Sequence, residues 1–487
     1  MAKRTWLGLI ATLGLGACHL APPLVVPDVP VAPQFHTQGP WTVGTPNDQA
    51  SRDGWWHIYN DAQLDAMEQQ LLQNNPDLSA ALAHYSQAQG FVAQVQSGLF
   101  PKLIGSGNGQ RIRQSDTRPL RSASPPNVYD SGTLGVEVDY EVDLWGRVRD
   151  SVAAGTSDAE AAKADLASVR LSLQAQLADS YIRLRGIDRE DQLLRETTDA
   201  YAKALSLTEG LHGGGIASGL DVARARTQLS TVKSQLNQNL VQRAVLEHAM
   251  ASMLGESAST YSIAPSVASI ALPSVPTGVP STLLQRRPDI AAAERRIASA
   301  NARIGVAKAA WFPVLTLSAQ GGFQSDEFAH LLSAPNLFWA IGPSLVGTIF
   351  DGGARQAGVD IAKAATDEAA AKYRGVVLSA FEQVENNLSI ISGLDSALVD
   401  QRDAAAAAQY AEDLSLARYR QGGAAYLDVV TAQVASLQAQ RTVLDLQTQQ
   451  LSANVGLIKA LGGGWNVAQL AAVNQASTAT PTNIYRN

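Results

Sequence analysis

Cysteine is almost absent: 487 residues contain one, Cys18. No intramolecular disulfide and no cysteine metal cluster can form from a single thiol. Methionine is nearly as scarce, with only Met67, Met250 and Met253 beyond the initiator, too few for a methionine-lined path for copper or silver. The seven histidines are scattered and show no H-E-x-x-H or other metal spacing, so neither metal nor cofactor is expected. Positive charge is in deficit, 37 Lys and Arg against 44 Asp and Glu, without a basic block. Nucleic acid is therefore excluded as a partner. Past the first twenty residues no stretch supplies the ~18 apolar residues of a membrane helix. A chain with this composition crosses a membrane only as a barrel, because helices and closed barrels alone satisfy their backbones in lipid.

What is present begins with a leader. In "MAKRTWLGLIATLGLGACHL", Lys3 and Arg4 precede an apolar run, Trp6 to Ala17, too short to span a bilayer. Residues 1–17 read as a secretory signal peptide. Its end, Leu15-Gly16-Ala17-Cys18, resembles the lipobox of bacterial lipoproteins. That resemblance implies a covalent lipid on Cys18 and cleavage just before it. His19 follows, rather than the aspartate that retains such lipoproteins at the inner membrane, which implies the outer membrane. Cleavage removes two positive charges and leaves 35 minus 44, a balance of −9. The proline-rich segment after Cys18 reads as an extended tether over 18–52.

One stretch carries chemistry on both sides. In "TLGVEVDYEVDLWGR", Leu134, Val136, Val138, Tyr140, Val142 and Leu144 alternate with residues that include Glu137, Asp139, Glu141 and Asp143. On a strand this gives one apolar face and one face with four carboxylates. A soluble antiparallel sheet with one face on a core shows such alternation. So does a strand between lipid and water, for which ~9–11 residues suffice.

The chain is also a tandem repeat. Pro76-Asp77 and Phe100-Pro101 recur 212 positions later as Pro288-Asp289 and Phe312-Pro313. "GLDVARA" at 219–225 recurs as "YLDVVTA" at 426–432, and Leu254-Gly255 as Leu461-Gly462, both at 207. Two copies of a ~200-residue unit result, 53–270 and 271–465, followed by a tail, 466–487. Each copy is expected to hold two strands, 102–110 and 134–144, then 314–323 and 341–350. Seams of apolar residues three and four apart predict long coiled-coil helices over 146–211, 219–254, 352–420 and 426–461. A helix of ~65 residues is on the order of 100 Å long. Four strands cannot close a membrane barrel, whose smallest examples have about eight, whereas three chains supply about twelve. The expected fold is mainly α, with a trimeric 12-stranded β-barrel continued by a helical tube.

"GWWHIYNDAQLDAMEQQLLQNNPDL" from Gly54, "YEVDLWGRVR" from Tyr140, "LLQRRPDIAAAERRIASANARIGVAKAAWFP" from Leu283 and "ARYRQGGAAYLDVVTAQ" from Ala417 resemble the outer-membrane factor family. These are the TolC-like channels, and the match is to their OprM-like and NodT-like lipoprotein branch. The resemblance covers nearly all of the mature chain. It implies a homotrimer in the outer membrane of a Gram-negative bacterium, in contact with outer-membrane lipid. A periplasmic adaptor and an inner-membrane transporter of RND type would be its partners. Compounds would leave through it without chemistry. The acidic face would line the lumen, and three copies of four carboxylates, twelve in all, would favour cations.

The resemblance also implies roles for the helix turns. "LHGGGIASGLDV" and "YRQGGAAYLDVV" would form the periplasmic tip, closed at rest, with Gly213, Gly214, Gly215, Gly422 and Gly423 at the adaptor-docking ends. Glycine there is also what a helix stop requires. By position Asp221 and Tyr419 match a latch between neighbouring helices, so their removal is expected to open the tip. Asp428, Leu427 and Leu220 match the constriction. Ala424 and Thr431 depart from the pattern, standing where strongly latched members have an arginine and a second aspartate, and Arg420 or Arg224 could supply the missing cation. Other readings are an exit channel for type I protein secretion and a coiled-coil scaffold, the latter leaving the amphipathic strand unexplained. Enzymatic activity is not expected: "HGGG" at His212 matches an oxyanion-loop motif of some lipases, but no G-x-S-x-G follows.

Overall fold

The computed structural model describes residues 19–30, 35–36, 54–117, 127–273 and 287–463. Cys18, the inner part of the tether and the tail lie outside them. The elements run α1 (Ala62–Asn74), α2 (Pro76–Gln96), β1 (Lys102–Arg113), β2 (Val128–Val142), α3 (Arg147–Gly213) and α4 (Gly219–Met253). They continue as α5 (Pro288–Ala309), β3 (Val314–Ser325), β4 (Leu337–Val346), α6 (Ala354–Arg420) and α7 (Tyr426–Ala460). In both copies a 67-residue helix is followed by one of 35 residues, so the repeat seen in the sequence is a repeat of architecture.

The chain divides into two units. The first joins the N-terminal residues to His84–Ala162 and Ala292–Tyr373 and contains one antiparallel sheet in the order β1-β2-β3-β4. Its strands differ in extent from the sequence reading. β1 and β2 stay paired well beyond the apolar alternation, Arg111 opposite Asp130 and Arg113 opposite Val128, so β2 starts at Val128 instead of Leu134. β4 occupies 337–346 instead of 341–350. Its pairing with β3 ends at Val314 opposite Val346, and residues 347–350 have no strand beside them among the described residues. Among the described residues no helix is long and apolar enough to cross a membrane.

Among its described residues the second unit, Asp28–Ala83, Lys163–Ala291 and Arg374–Asn487, contains helices and no strand of the sheet. Asp61 starts α1 by accepting the amides of Gln63 and Leu64 at 2.9 and 3.1 Å. Leu64 and Leu71 of α1 are wholly buried with Leu177 of α3 and Met250 of α4. The Tyr181 hydroxyl donates to Asp61 Oδ2 at 2.8 Å, and the Tyr59 hydroxyl to Asn454 Oδ1 at 2.8 Å. A buried ionic network fixes the chain beyond α4. Asp188 accepts from Arg185 at 2.6 Å, Arg243 at 2.7 Å and the Ser266 amide at 3.0 Å. The same arginines donate to the Ala264 and Ile263 carbonyls at 3.0 and 2.6 Å. Each buried charge thereby gains several partners, the condition under which burial of an ion pair is tolerated.

Glu68 breaks that rule. It is wholly buried in α1, and among the described residues neither carboxyl oxygen is hydrogen-bonded. Desolvation pushes its pKa up to about 9, Arg170 opposing and Asp65 adding to the rise. The native state therefore keeps a proton that the unfolded chain releases near the ordinary 4.5. This contribution to stability is complete below about pH 4.5 and is lost as pH rises toward 9. Glu68→Gln is expected to raise the thermal midpoint by about 5 °C more at pH 8 than at pH 5. Melting curves in detergent at the two pH values check this, and equal shifts would refute it.

Candidate functional site

The sheet register sorts its side chains into two classes. Leu103 stands opposite Val138, Val138 opposite Ala319, and Ala319 opposite Ile341, so these share one face. The same parity places Leu134, Val136, Tyr140, Leu317, Phe323 and Trp339 there. No charged residue of β2, β3 or β4 falls on this face between Leu134 and Val142 or their partners. On the other face Lys102 stands opposite Asp139, and Asp139 opposite Ser318, whose hydroxyl donates to the carboxylate at 2.6 Å. Ile104, Glu137, Gln320 and Ala340 form the next row.

The four expected acids do not form one acidic wall. Glu137 and Asp139 lie within β2 and carry no ion pair among the described residues. Glu141 accepts a two-pronged bond from Arg147, at 2.8 and 2.6 Å. Asp143 lies past the end of β2 and serves the helix that follows. Its carboxylate accepts the amides of Val148 and Arg149 at 3.2 and 2.9 Å and pairs with the Arg149 guanidinium at 3.1 Å. Burial raises its pKa, but those donors outweigh burial and hold the carboxyl below its ordinary range. An anion at a helix N-terminus satisfies amides that have no partner within the helix. Two of the four acids are thus neutralised within the chain, which corrects the expectation of twelve free carboxylates. Lys102 opposite Asp139 reduces the excess further. The signal was available in the sequence: Arg147 and Arg149 lie six residues beyond Glu141 and Asp143 and keep the same alternation.

Cys18 lies outside the described residues, but the chain just after it is held. His19 Nδ1 meets the wholly buried Asp150 in the first turn of α3 at 2.5 Å. Lys308 and Asn301 of α5 donate to the Leu20 and Pro22 carbonyls at 3.2 and 2.8 Å. The fit depends on Gly305, where a Cβ would stand 2.0 Å from Asp150 Oδ2 and 2.8 Å from the Ala21 nitrogen. Burial pushes the Asp150 carboxyl up and His19 opposes that.

At the far ends of the helices the expected latch pair does not form within the chain. Asp221 accepts the Ser218 amide and hydroxyl at 3.1 and 2.7 Å, while its own amide bonds Ser218 Oγ, a reciprocal cap at the start of α4. The spacing Ser-x-x-Asp made that legible. Tyr419 is buried against the Tyr426 ring, centroids 5.1 Å apart in an edge arrangement, and its hydroxyl has no partner among the described residues. Asp428 accepts the Ala425 amide at 3.3 Å. Thr431 donates to the Leu427 carbonyl at 2.9 Å. Leu220 and Leu427 are 59% and 50% exposed. Arg224 approaches Asp221 at 3.7 Å from the same helix, whereas Arg420 is exposed with no ion pair among the described residues. Gly213 is the last residue of α3, Gly214 and Gly215 form the turn, and Gly422 and Gly423 turn α6 into α7. Gly215 and Gly422 have φ of 78° and 75°, which explains glycine at both stops. Tyr426 was not singled out from sequence; its apolar surroundings come from the pairing of distant helices.

Comparison with known proteins agrees with this geometry. The family model described as outer membrane efflux protein matches residues 67–256 and 279–463. The chain is 33% identical over 472 residues to the probable efflux pump outer membrane protein TtgC of Pseudomonas putida, covering 96% of this chain and 97% of that protein. It is 32% identical to the pyoverdine export outer membrane protein OpmQ of Pseudomonas aeruginosa, with coverage of 93% and 96%. The solved structure of the outer-membrane channel OprN superposes with a TM-score of 0.80 at 29% identity, over 91% of this chain and 99% of that one.

Gly305→Ala is expected to displace residues 19–22 from α3 and α5 while the sheet stays intact. Elastase, which cuts after small apolar residues, should then cleave this segment about tenfold faster. Unchanged cleavage would show that the segment is not held there.

Proposed function

The chain belongs to the outer membrane efflux protein family, and from that membership we propose that three copies form a lipid-anchored exit duct. It is an outer-membrane efflux channel, a passive conduit in which no bond is made or broken. One observation carries the assembly: an antiparallel sheet with an apolar and a polar face whose two edges, β1 and β4, have no partner strand among the described residues. Unpaired edges cannot stand in lipid. Joining β4 of each copy to β1 of the next closes four strands times three, twelve in all, with the apolar face toward lipid and the polar face toward water. The alternation of faces also supports that orientation.

A periplasmic adaptor and an inner-membrane transporter of RND type are the proposed partners, engaged through the turns at Gly213–Gly215 and Gly422–Gly423. The acylated residue is Cys18. Leu220, Leu427 and Asp428 would narrow the duct at those turns. TtgC and OpmQ are described as efflux-pump and pyoverdine-export proteins, which favours small molecules over secreted proteins as cargo.

A strain lacking this gene, compared with its complemented form on a panel of antibiotics, dyes, detergents and metal salts, tests the reading. Sensitisation reversed by the intact gene is the expected result; no change across the panel, with loss of a secreted protein, would move the reading to secretion. Because Arg147 and Arg149 neutralise Glu141 and Asp143, the purified channel should show only weak preference for cations. Replacing both arginines by alanine should raise the cation-to-anion permeability ratio about threefold, read as a reversal potential across a salt gradient. An unchanged potential would place those pairs outside the ion path.

A further inference from the structure

The apolar face of the sheet is not flat. In the row Val138–Ala319–Ile341 a single methyl lies between two branched side chains. In the next row toward α3, Leu317 stands between Tyr140 and Pro343. Together these two rows line a groove of about 280 Å³. Ser318 also borders it, but gives its hydroxyl to Asp139 on the polar face. The groove therefore suits an unbranched apolar chain. Closing a barrel does not fill it. The strand that would join β4, β1 of the next copy, turns Gly105, Gly107 and Gly109 to this face. Among its residues there as far as Gly109, Leu103 alone carries a side chain.

The chain supplies an occupant of its own. His19 is fixed on Asp150 in the first turn of α3, and Lys308 and Asn301 of α5 hold the residues that follow. The helix α3 leads out of β2, and α5 leads into β3. A lipid on Cys18 would thus start below the foot of two strands that form the groove. From Asp150 back to Asp143, which caps α3, is about 10 Å at 1.5 Å per residue. From Asp143 up to Tyr140 is about another 10 Å at 3.4 Å per residue. An acyl chain crossing one leaflet of a ~30 Å core covers about 15 Å, and the glycerol that links it to the thiol supplies the rest. The opposite face is closed to it by Lys102, Glu137 and Asp139. From the groove and the fixed starting point we infer that one acyl chain of the lipid on Cys18 lies between Val138 and Ile341. The inference rests on the reading of Cys18 as the acylated residue and adds where its lipid goes.

The hydrophobic effect does not decide this seat. Bilayer tails are as apolar as the groove, so transfer between them gains nothing. What differs is contact and order. A chain lying over Ala319 gains dispersion contacts along both walls. A chain already fixed at one end also loses less freedom on lying down than a free lipid does. A larger side chain at position 319 removes the first advantage and leaves the second.

Photochemical cross-linking tests this. Cells producing the full chain are fed palmitate with a mid-chain diazirine, which enters the membrane lipids and through them the lipid of Cys18. After irradiation of the membranes the protein is purified, digested and searched by mass spectrometry for peptides joined to the one that begins at Cys18. The join itself identifies the protein's own lipid, since an adduct of free lipid leaves the two peptides separate. Links at Val138, Tyr140, Ala319 or Ile341 are the expected result. Ala319→Leu, which fills the groove on a face that tolerates leucine, should lower their yield about fivefold. Links spread evenly over the apolar face, or a yield that Ala319→Leu leaves unchanged, overturn the inference. So do adducts of free lipid alone at the groove. The wild-type pattern decides the matter even where Ala319→Leu does not fold. Failure of the underlying reading looks different: the peptide containing Cys18 would carry no acyl mass, and the seat would fall with it.

Discussion

A strand in lipid must hydrogen-bond on both sides, and water is not there to substitute. The described residues hold four strands in one sheet, so β1 and β4 each present a row of donors and acceptors that no described strand pairs with. Much else follows from that constraint. The strict alternation over Leu134–Val142 is needed because the sheet separates two solvents, and a one-residue slip would exchange them. The register from β1 across to β4 carries the same parity in every row, so no strand interrupts the apolar face. An amphipathic sheet with free edges calls for further copies of itself.

The strand-to-helix junction shows a second economy. A helix of 67 residues starts a few positions beyond a strand, and its first amides need acceptors. Asp143 provides them, and Arg149 then compensates the acid. Glu141, within β2, repeats the ion pair but not the amide contacts, with Arg147. Around them Trp145 stacks on Phe312 at 4.4 Å and donates to the Pro313 carbonyl at 2.9 Å. Aromatics that could have formed a girdle at a membrane surface here also serve as the packing of a corner that joins the two repeats.

How far the molecule could be read from its residues depended on whether the signal was periodic. The strand faces, the four long helices and the duplication were legible, because periods of two, of three and four, and of about 207 residues survive in the sequence. Strand ends were not. Pairing continues through Arg111 and Asp130 without apolar alternation, and Ile349-Phe350 looked like strand but has no neighbour to pair with. Roles set by contact between distant helices were legible least. Position alone put Asp221 and Tyr419 in one latch, whereas the local pattern Ser218-x-x-Asp221 already offered the aspartate a closer partner. Nothing local marks Tyr426, which acquires its surroundings from Thr208 and Ala225 more than 200 residues away.

The clasp of His19 on Asp150 bears on what a lipid at the N-terminus can do. Adjacent Cα atoms are about 3.8 Å apart, so acyl chains on Cys18 would start one step from a residue fixed to the first turn of α3. A leash that short has no slack to explore a membrane. At such close range its effective concentration beside its own protomer's sheet is set by folding, and a long free tether would dilute it. Before the socket of Asp150, Asn301, Gly305 and Lys308 exists, a lipid on Cys18 would be a mooring with a loose line. Afterwards it would be a rivet, and pulling the acyl chains from the bilayer would require lifting the first turn of α3 with them.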